Sequence, residues 1–163
     1  MVLFACLWIV LFILASAIDL QSFLLPNWLT LPLSASGLLF NLLSDYHFCT
    51  AIDALLGLAI GYALLRLVDV LYFKVRKQHG IGQGDAKLLA AIGAILGWQD
   101  IFPILFFAAI LGLLCGLVML KMRVIQFQHP IPFGPFLSLF ACLFIIDNIF
   151  AFGIHPRSLA LPL

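Results

Sequence analysis

Six long apolar runs, separated by short polar breaks, leave this chain no route to a water-soluble fold. They cover roughly Val2–Ile18, Trp28–Leu43, Ala51–Phe73, Ala86–Gly97, Ile101–Leu120 and Pro135–Phe152. Of 163 residues, 65% are hydrophobic and 9% charged, against about 45–50% and about 25% in soluble domains. The mean hydropathy of +1.23 says the same. A chain of this length cannot bury so much apolar surface in a core of its own, so its solvent must be lipid. About 20 apolar residues cross the hydrocarbon as a helix, and only helices and closed barrels satisfy their own backbone there. Period-two alternation is absent, which excludes a barrel. The expectation is an all-α integral membrane protein: one domain over residues 1–163 with six transmembrane helices and no soluble domain.

The second and fourth runs fall below the usual span length. Each is expected to start beneath the membrane surface or to be re-entrant, which lipid tolerates only where the backbone lines protein or water. The first run ends in Ala15-Ser16-Ala17, which imitates a signal-peptidase site. No Lys or Arg precedes it, however, so a retained first span is expected. The cysteines Cys6, Cys49, Cys115 and Cys142 have no CxxC spacing and read as buried small hydrophobes, not as a disulfide framework or zinc site.

The charges carry a topology. Lys74, Arg76, Lys77, Lys87, Lys121 and Arg123 all fall in loops that share one side when the N-terminus lies outside, with Arg66 close by. The opposite loops and the C-terminal tail hold Arg157. Such a bias sets those basic loops in the cytoplasm. The bases are too sparse for a nucleic-acid footprint. Trp28, Tyr46, Tyr72 and Trp98 lie near expected span ends, as interfacial aromatics do. His79, His129 and His155 read as loop or interfacial residues, and no metal or cofactor is expected.

The seven acids are all Asp. Asp19 ends the first span and Asp85 opens the fourth, on the same cytoplasmic side, because an even number of crossings returns the chain to one leaflet. Asp45 and Asp100 fall in outer turns, and Asp53 and Asp147 near outer helix ends. Asp69 alone shares the leaflet with the pair, and Arg66 at i−3 makes a structural ion pair its expected role. Carboxylates at the membrane edge are costly and commonly functional. Taken singly, Asp85 is equally readable as a helix N-cap and Asp19 as an interfacial residue.

Two carboxylates brought together suit one chemistry. Like charges a few ångströms apart cannot both ionise cheaply, so the pair shares a proton near neutral pH. One member draws a proton from water as it attacks a peptide carbonyl, and the other donates to the carbonyl oxygen. Which one starts protonated belongs to the pair as a whole.

The segment Gly80-Ile-Gly82-Gln-Gly84-Asp85-Ala-Lys87 alternates glycine ahead of a helix. It lacks the spacing of a dinucleotide fingerprint or a P-loop. The glycines supply backbone free of side chains beside an aspartate, where a peptide can approach closely. With this GxGD motif in place, the stretch GIGQGDAKLLAAIGAILGW resembles the type IV prepilin peptidase family. So do IDLQSFLLPNWLTLPL, with Asp19 ahead of Pro26-Asn27, and the Ile131-Pro132-Phe133-Gly134-Pro135-Phe136 block. The resemblance implies Asp19 and Asp85 as the catalytic pair, with Gly82, Gly84, Lys87, Pro26 and Asn27 shaping the site or binding substrate. It also implies cleavage of the leader from prepilins or pseudopilins, in the inner membrane and facing the cytoplasm. Substrate and membrane lipid are the implied partners; a homodimer is left open.

Many members of that family also N-methylate the product through a cytoplasmic domain bearing paired CxxC motifs. This sequence has no CxxC, so the expectation is a short, peptidase-only form. His79 departs from the acid or small polar residue expected before Gly80. Two other functions compete. A small transporter or proton carrier would use Asp69, Asp53 or Asp147, but no internal repeat accompanies them. A non-catalytic assembly component would not need both aspartates.

Overall fold

The computed structural model describes residues 2–22, 25–43, 48–77, 82–122 and 132–154, with side chains through Phe150. Among them lie six helices and no strand: α1 (Val2–Ser22), α2 (Asn27–Leu43), α3 (Ala51–Arg76), α4 (Gln83–Leu96), α5 (Ile101–Lys121) and α6 (Gly134–Ile154). Helices α1, α3 and α5 are long and apolar enough to cross a membrane, and α6 is apolar through Phe150. Exposed Leu, Ile, Val and Phe side chains cover their outer faces, as a lipid-facing surface requires. The chain is an all-α integral membrane protein.

Helix α4 is the centre of the fold. Its 14 residues rise about 21 Å, short of the ~30 Å hydrocarbon core. From Leu88 to Leu96 every residue is buried, because α2, α3, α5 and α6 all pack against it. A helix surrounded on all sides by protein need not match the bilayer in length.

Close approach between α3 and α4 is made by glycine. A Cβ on Gly57 would stand 2.2 Å from the Gly93 carbonyl oxygen, and one on Gly61 2.6 Å from that of Leu89. Lipid tails are as apolar as leucine, so burial alone does not drive helices together there. Small residues that let backbones touch supply the contact instead. The two contacts also fix an antiparallel register: four residues up α3 correspond to four residues down α4.

The end of the bundle where α4 terminates is sealed by side chains. Gly97 ends the helix with φ +94°, a left-handed conformation, and its N–H donates to the Gly93 carbonyl at 2.8 Å. Buried Asn41 of α2 donates through Nδ2 to the carbonyls of Ala94 (3.0 Å) and Ile95 (2.9 Å). Its Oδ1 accepts from the N–H groups of Phe48 (3.0 Å) and Cys49 (3.4 Å). Four backbone groups thus depend on one side chain. Asn41→Leu is expected to lower stability by about 2–4 kcal/mol, seen as an earlier melting transition of the detergent-solubilised protein. At the same end Thr50 caps α3. Its hydroxyl accepts from Asp53 N–H at 3.1 Å and donates to Asp53 Oδ2 at 2.7 Å, while Trp98 Nε1 donates to Asp53 Oδ1 at 3.0 Å. Asp53 is therefore a structural acid.

Helices α1 and α6 close the other flank. Trp8 is fully buried, donates to Ser36 Oγ at 3.0 Å and meets Phe40 edge-on at 5.1 Å. These contacts tie α1 to α2, while α6 packs against α1.

Candidate active site

The opposite end of the bundle gathers the C-terminal turn of α1 and the first turns of α2, α4 and α6. Asp19 lies in the last turn of α1, where its position follows Ala5, Trp8, Phe12 and Ala15 along the buried stripe. It is 5% exposed. Its Oδ2 accepts from the Gly134 N–H at 3.0 Å. Gly134 opens α6, where the first N–H groups have no partner within the helix, so the carboxylate takes up one of these orphan donors.

Helix α4 begins two residues ahead of Asp85. Gly82 is the N-cap and makes no side-chain cap bond. Asp85 is therefore not the cap, contrary to one sequence reading. As the third helical residue it reaches back to the Gly82 backbone N–H, the return bond of a capping box. It is 8% exposed and lies within electrostatic reach of Asp19. The structure thus places both aspartates, each buried, at the same end of the bundle, near enough for the charge of one to act on the other.

The other residues singled out in the sequence converge beside this pair. Lys87 Nζ donates to Asn27 Oδ1, joining α4 to the start of α2. The Pro26 carbonyl accepts from the N–H groups of Leu29 and Thr30 at 3.1 and 3.3 Å, closing the first turn of α2. Gly84 faces Leu25, whose Cβ would stand 2.8 Å from a Cβ placed there. The space at Gly84 is therefore filled by this protein's own chain, while Gly82 stays exposed. Gly84, Pro26, Asn27 and Lys87 together interlock α2 with the turn that carries Asp85. His79, Gly80, Arg123, His129, Ile131, His155, Arg157, Asp45 and Tyr46 lie outside the described residues.

Gly134 is the contact that spacing alone does not reveal. The Ile131–Phe136 block is visible in the sequence, but its partner lies more than a hundred residues earlier. A Cβ on Gly134 would come within 2.7 Å of Asp19 Oδ2 and 3.0 Å of Cγ. The carboxylate, as the end of a side chain, can move aside where backbone could not. Gly134→Ala should therefore leave the fold intact and displace Asp19, lowering any reaction that depends on it about 10- to 100-fold. Activity per folded molecule, with the melting temperature as control, reads this out.

A model of the type IV leader peptidase family matches residues 6–117, which include both aspartates. The chain belongs to the type IV leader peptidase family. It is 43% identical over 123 residues to the prepilin leader peptidase/N-methyltransferase of Burkholderia pseudomallei (strain 1026b), covering 76% of this chain and 39% of that protein. It is 42% identical over 122 residues to the protein of the same name from Aeromonas hydrophila, covering 75% and 41%. The corresponding protein of Dickeya chrysanthemi is 36% identical over 138 residues, covering 85% and 48%. This chain thus spans less than half the length of these family members. No solved structure matches it.

Proposed function

We propose that this chain is a membrane aspartic endopeptidase that removes the leader peptide from type IV prepilins or pseudopilins, with Asp19 and Asp85 as its catalytic pair. The observation that carries the reading is the placing of these two buried carboxylates at one end of the bundle, within the type IV leader peptidase family. Relatives named for prepilin cleavage supply the substrate class. The proposal covers the peptidase half of those names, since the matched stretch carries the aspartates and no CxxC pair.

The chemistry is general acid–base hydrolysis. One carboxylate takes a proton from water as the oxygen bonds to the scissile carbonyl carbon. The other gives its proton to the carbonyl oxygen, so the tetrahedral intermediate forms without free charge. Collapse then breaks the C–N bond as a proton passes to the leaving amine. The interlock of Lys87 with Asn27 and of Gly84 with Leu25 would hold Asp85 in place for this, and Gly134 would hold Asp19.

The site would face the cytoplasm of the inner membrane. Lys74, Arg76, Lys77, Lys87 and Lys121 belong to the same end of the bundle as the pair, and basic residues concentrate on the cytoplasmic side. The transporter alternative is weakened by the occupation of two of its three acids: Asp53 is held by Thr50 and Trp98, and Asp69 is paired with Arg66. Co-expression with a candidate prepilin encoded nearby, followed by N-terminal sequencing, tests the reading. A new terminus at the start of the prepilin's apolar segment is expected; an uncut product in the presence of folded enzyme would refute it.

A further inference from the structure

Asp69 has no part in the chemistry above, yet it is 2% exposed at the site's end of α3. Arg66 Nη1 lies 3.5 Å from its Oδ2, and the two side chains differ sharply in exposure, 33% against 2%. An i,i+3 pair serving only as a staple on a helix surface would leave both partners at the surface. Here the acid continues the buried stripe Ala54, Gly57, Gly61, Leu65 that packs on α4. The register set by Gly57 against Gly93 and Gly61 against Leu89 brings Leu65 level with Asp85. The next turn of α3 carries Asp69 just past the N-cap Gly82, ahead of the first residue of α4. Gly82 gives that end no side-chain cap; the first N–H groups of a helix lack partners within it, and the positive end of its dipole favours a second anion there beside Asp85. A carboxylate buried at the membrane edge is costly to keep and calls for such a role.

We propose that Asp69, held by Arg66, is a positioning residue: it fixes the first turn of α4 and thereby the place of Asp85. It touches neither substrate nor the reacting atoms. This inference rests on the peptidase reading for its kinetic consequence, but its structural consequence is independent of it.

The test compares the protein with its Asp69→Asn variant, both reconstituted in lipid nanodiscs. Hydrogen–deuterium exchange is followed along α4, and kcat and KM are measured on a prepilin. The variant should exchange at least about tenfold faster at Gln83–Ala86, with Leu88–Leu96 unchanged. Its kcat per folded molecule should fall about tenfold or more, with KM within twofold. Where Asp69→Asn fails to accumulate, the Arg66→Gln/Asp69→Asn double variant, which leaves no lone buried charge, is held to the same two readouts. Unchanged exchange in the first turn overturns the proposal, whatever the kinetics. Faster exchange with wild-type kcat overturns the link to Asp85. If the wild-type protein cuts no prepilin, the peptidase reading fails by itself, and exchange alone still decides whether Asp69 fixes the turn.

Discussion

Asp19→Asn and Asp85→Asn should each lower the rate of prepilin cleavage by about a thousandfold or more, with the protein still inserted, folded and accumulated. General acid–base participation by one side chain contributes roughly 10²–10⁴-fold, and here each carboxylate serves in both halves of the reaction. Asparagine keeps the shape and an acceptor oxygen. It can still take the Gly134 N–H at position 19 and the Gly82 N–H at position 85. What it loses is the ability to carry a proton to or from the reacting atoms. Removing one of two neighbouring buried carboxylates also relieves their mutual repulsion, so the melting temperature should not drop. Kinetics on purified variants, normalised to folded protein by size-exclusion chromatography, check both halves of this expectation.

The largest effect on the fold is expected from Gly57→Leu. The new Cβ would meet the Gly93 carbonyl oxygen at 2.2 Å and the Gly93 carbonyl carbon at 2.7 Å. Both are backbone atoms of a helix enclosed on every side, so no side-chain movement relieves the clash. The helices must separate, and α4 loses the contact that sets its depth and register. Overpacking within cores commonly costs about 1–3 kcal/mol and occasionally more; a backbone clash at this crossing belongs at or above the top of that range. Gly93→Leu, with the reciprocal contact to the Gly57 carbonyl oxygen at 2.3 Å, should behave alike. Thermal melting in detergent, followed by loss of the monodisperse peak, measures the effect. A surface change such as Leu55→Ala on the exposed face of α3 should leave it unmoved.

How much of this was legible in the sequence depends on the distance over which each feature is specified. Helices were legible because apolar runs are local. Their ends shift where polar residues find local partners: α1 continues past Ile18 to Ser22, whose hydroxyl donates to the Ile18 carbonyl at 2.8 Å. Helix α3 runs on to Arg76 and stops with Lys77 at φ 56°. The shortness of α4 was also visible, but not its reason, since enclosure by four other helices is a property of the whole bundle. Counting crossings was enough to bring Asp19 and Asp85 to one end. It could not supply Gly134 as a donor to Asp19, nor Asn41 as the cap of α4, because those bonds join residues whose separation leaves no periodic trace. Gly57 and Gly61 carry a small-residue spacing plain in the sequence, yet spacing does not name the helix they touch. Asp85 as an N-cap was a fair local reading, and it failed because Gly82 takes the cap position and leaves Asp85 inside the first turn.

Two carboxylates that form one peptidase site act as a unit, and residues that do so are strongly non-additive. The most direct measurement is kcat/KM on a purified prepilin for wild type, Asp19→Asn, Asp85→Asn and the double variant under one set of conditions. All three variants should fall to the same residual rate, the double no lower than either single. A single variant that folds and keeps more than about a tenth of wild-type kcat/KM would contradict this.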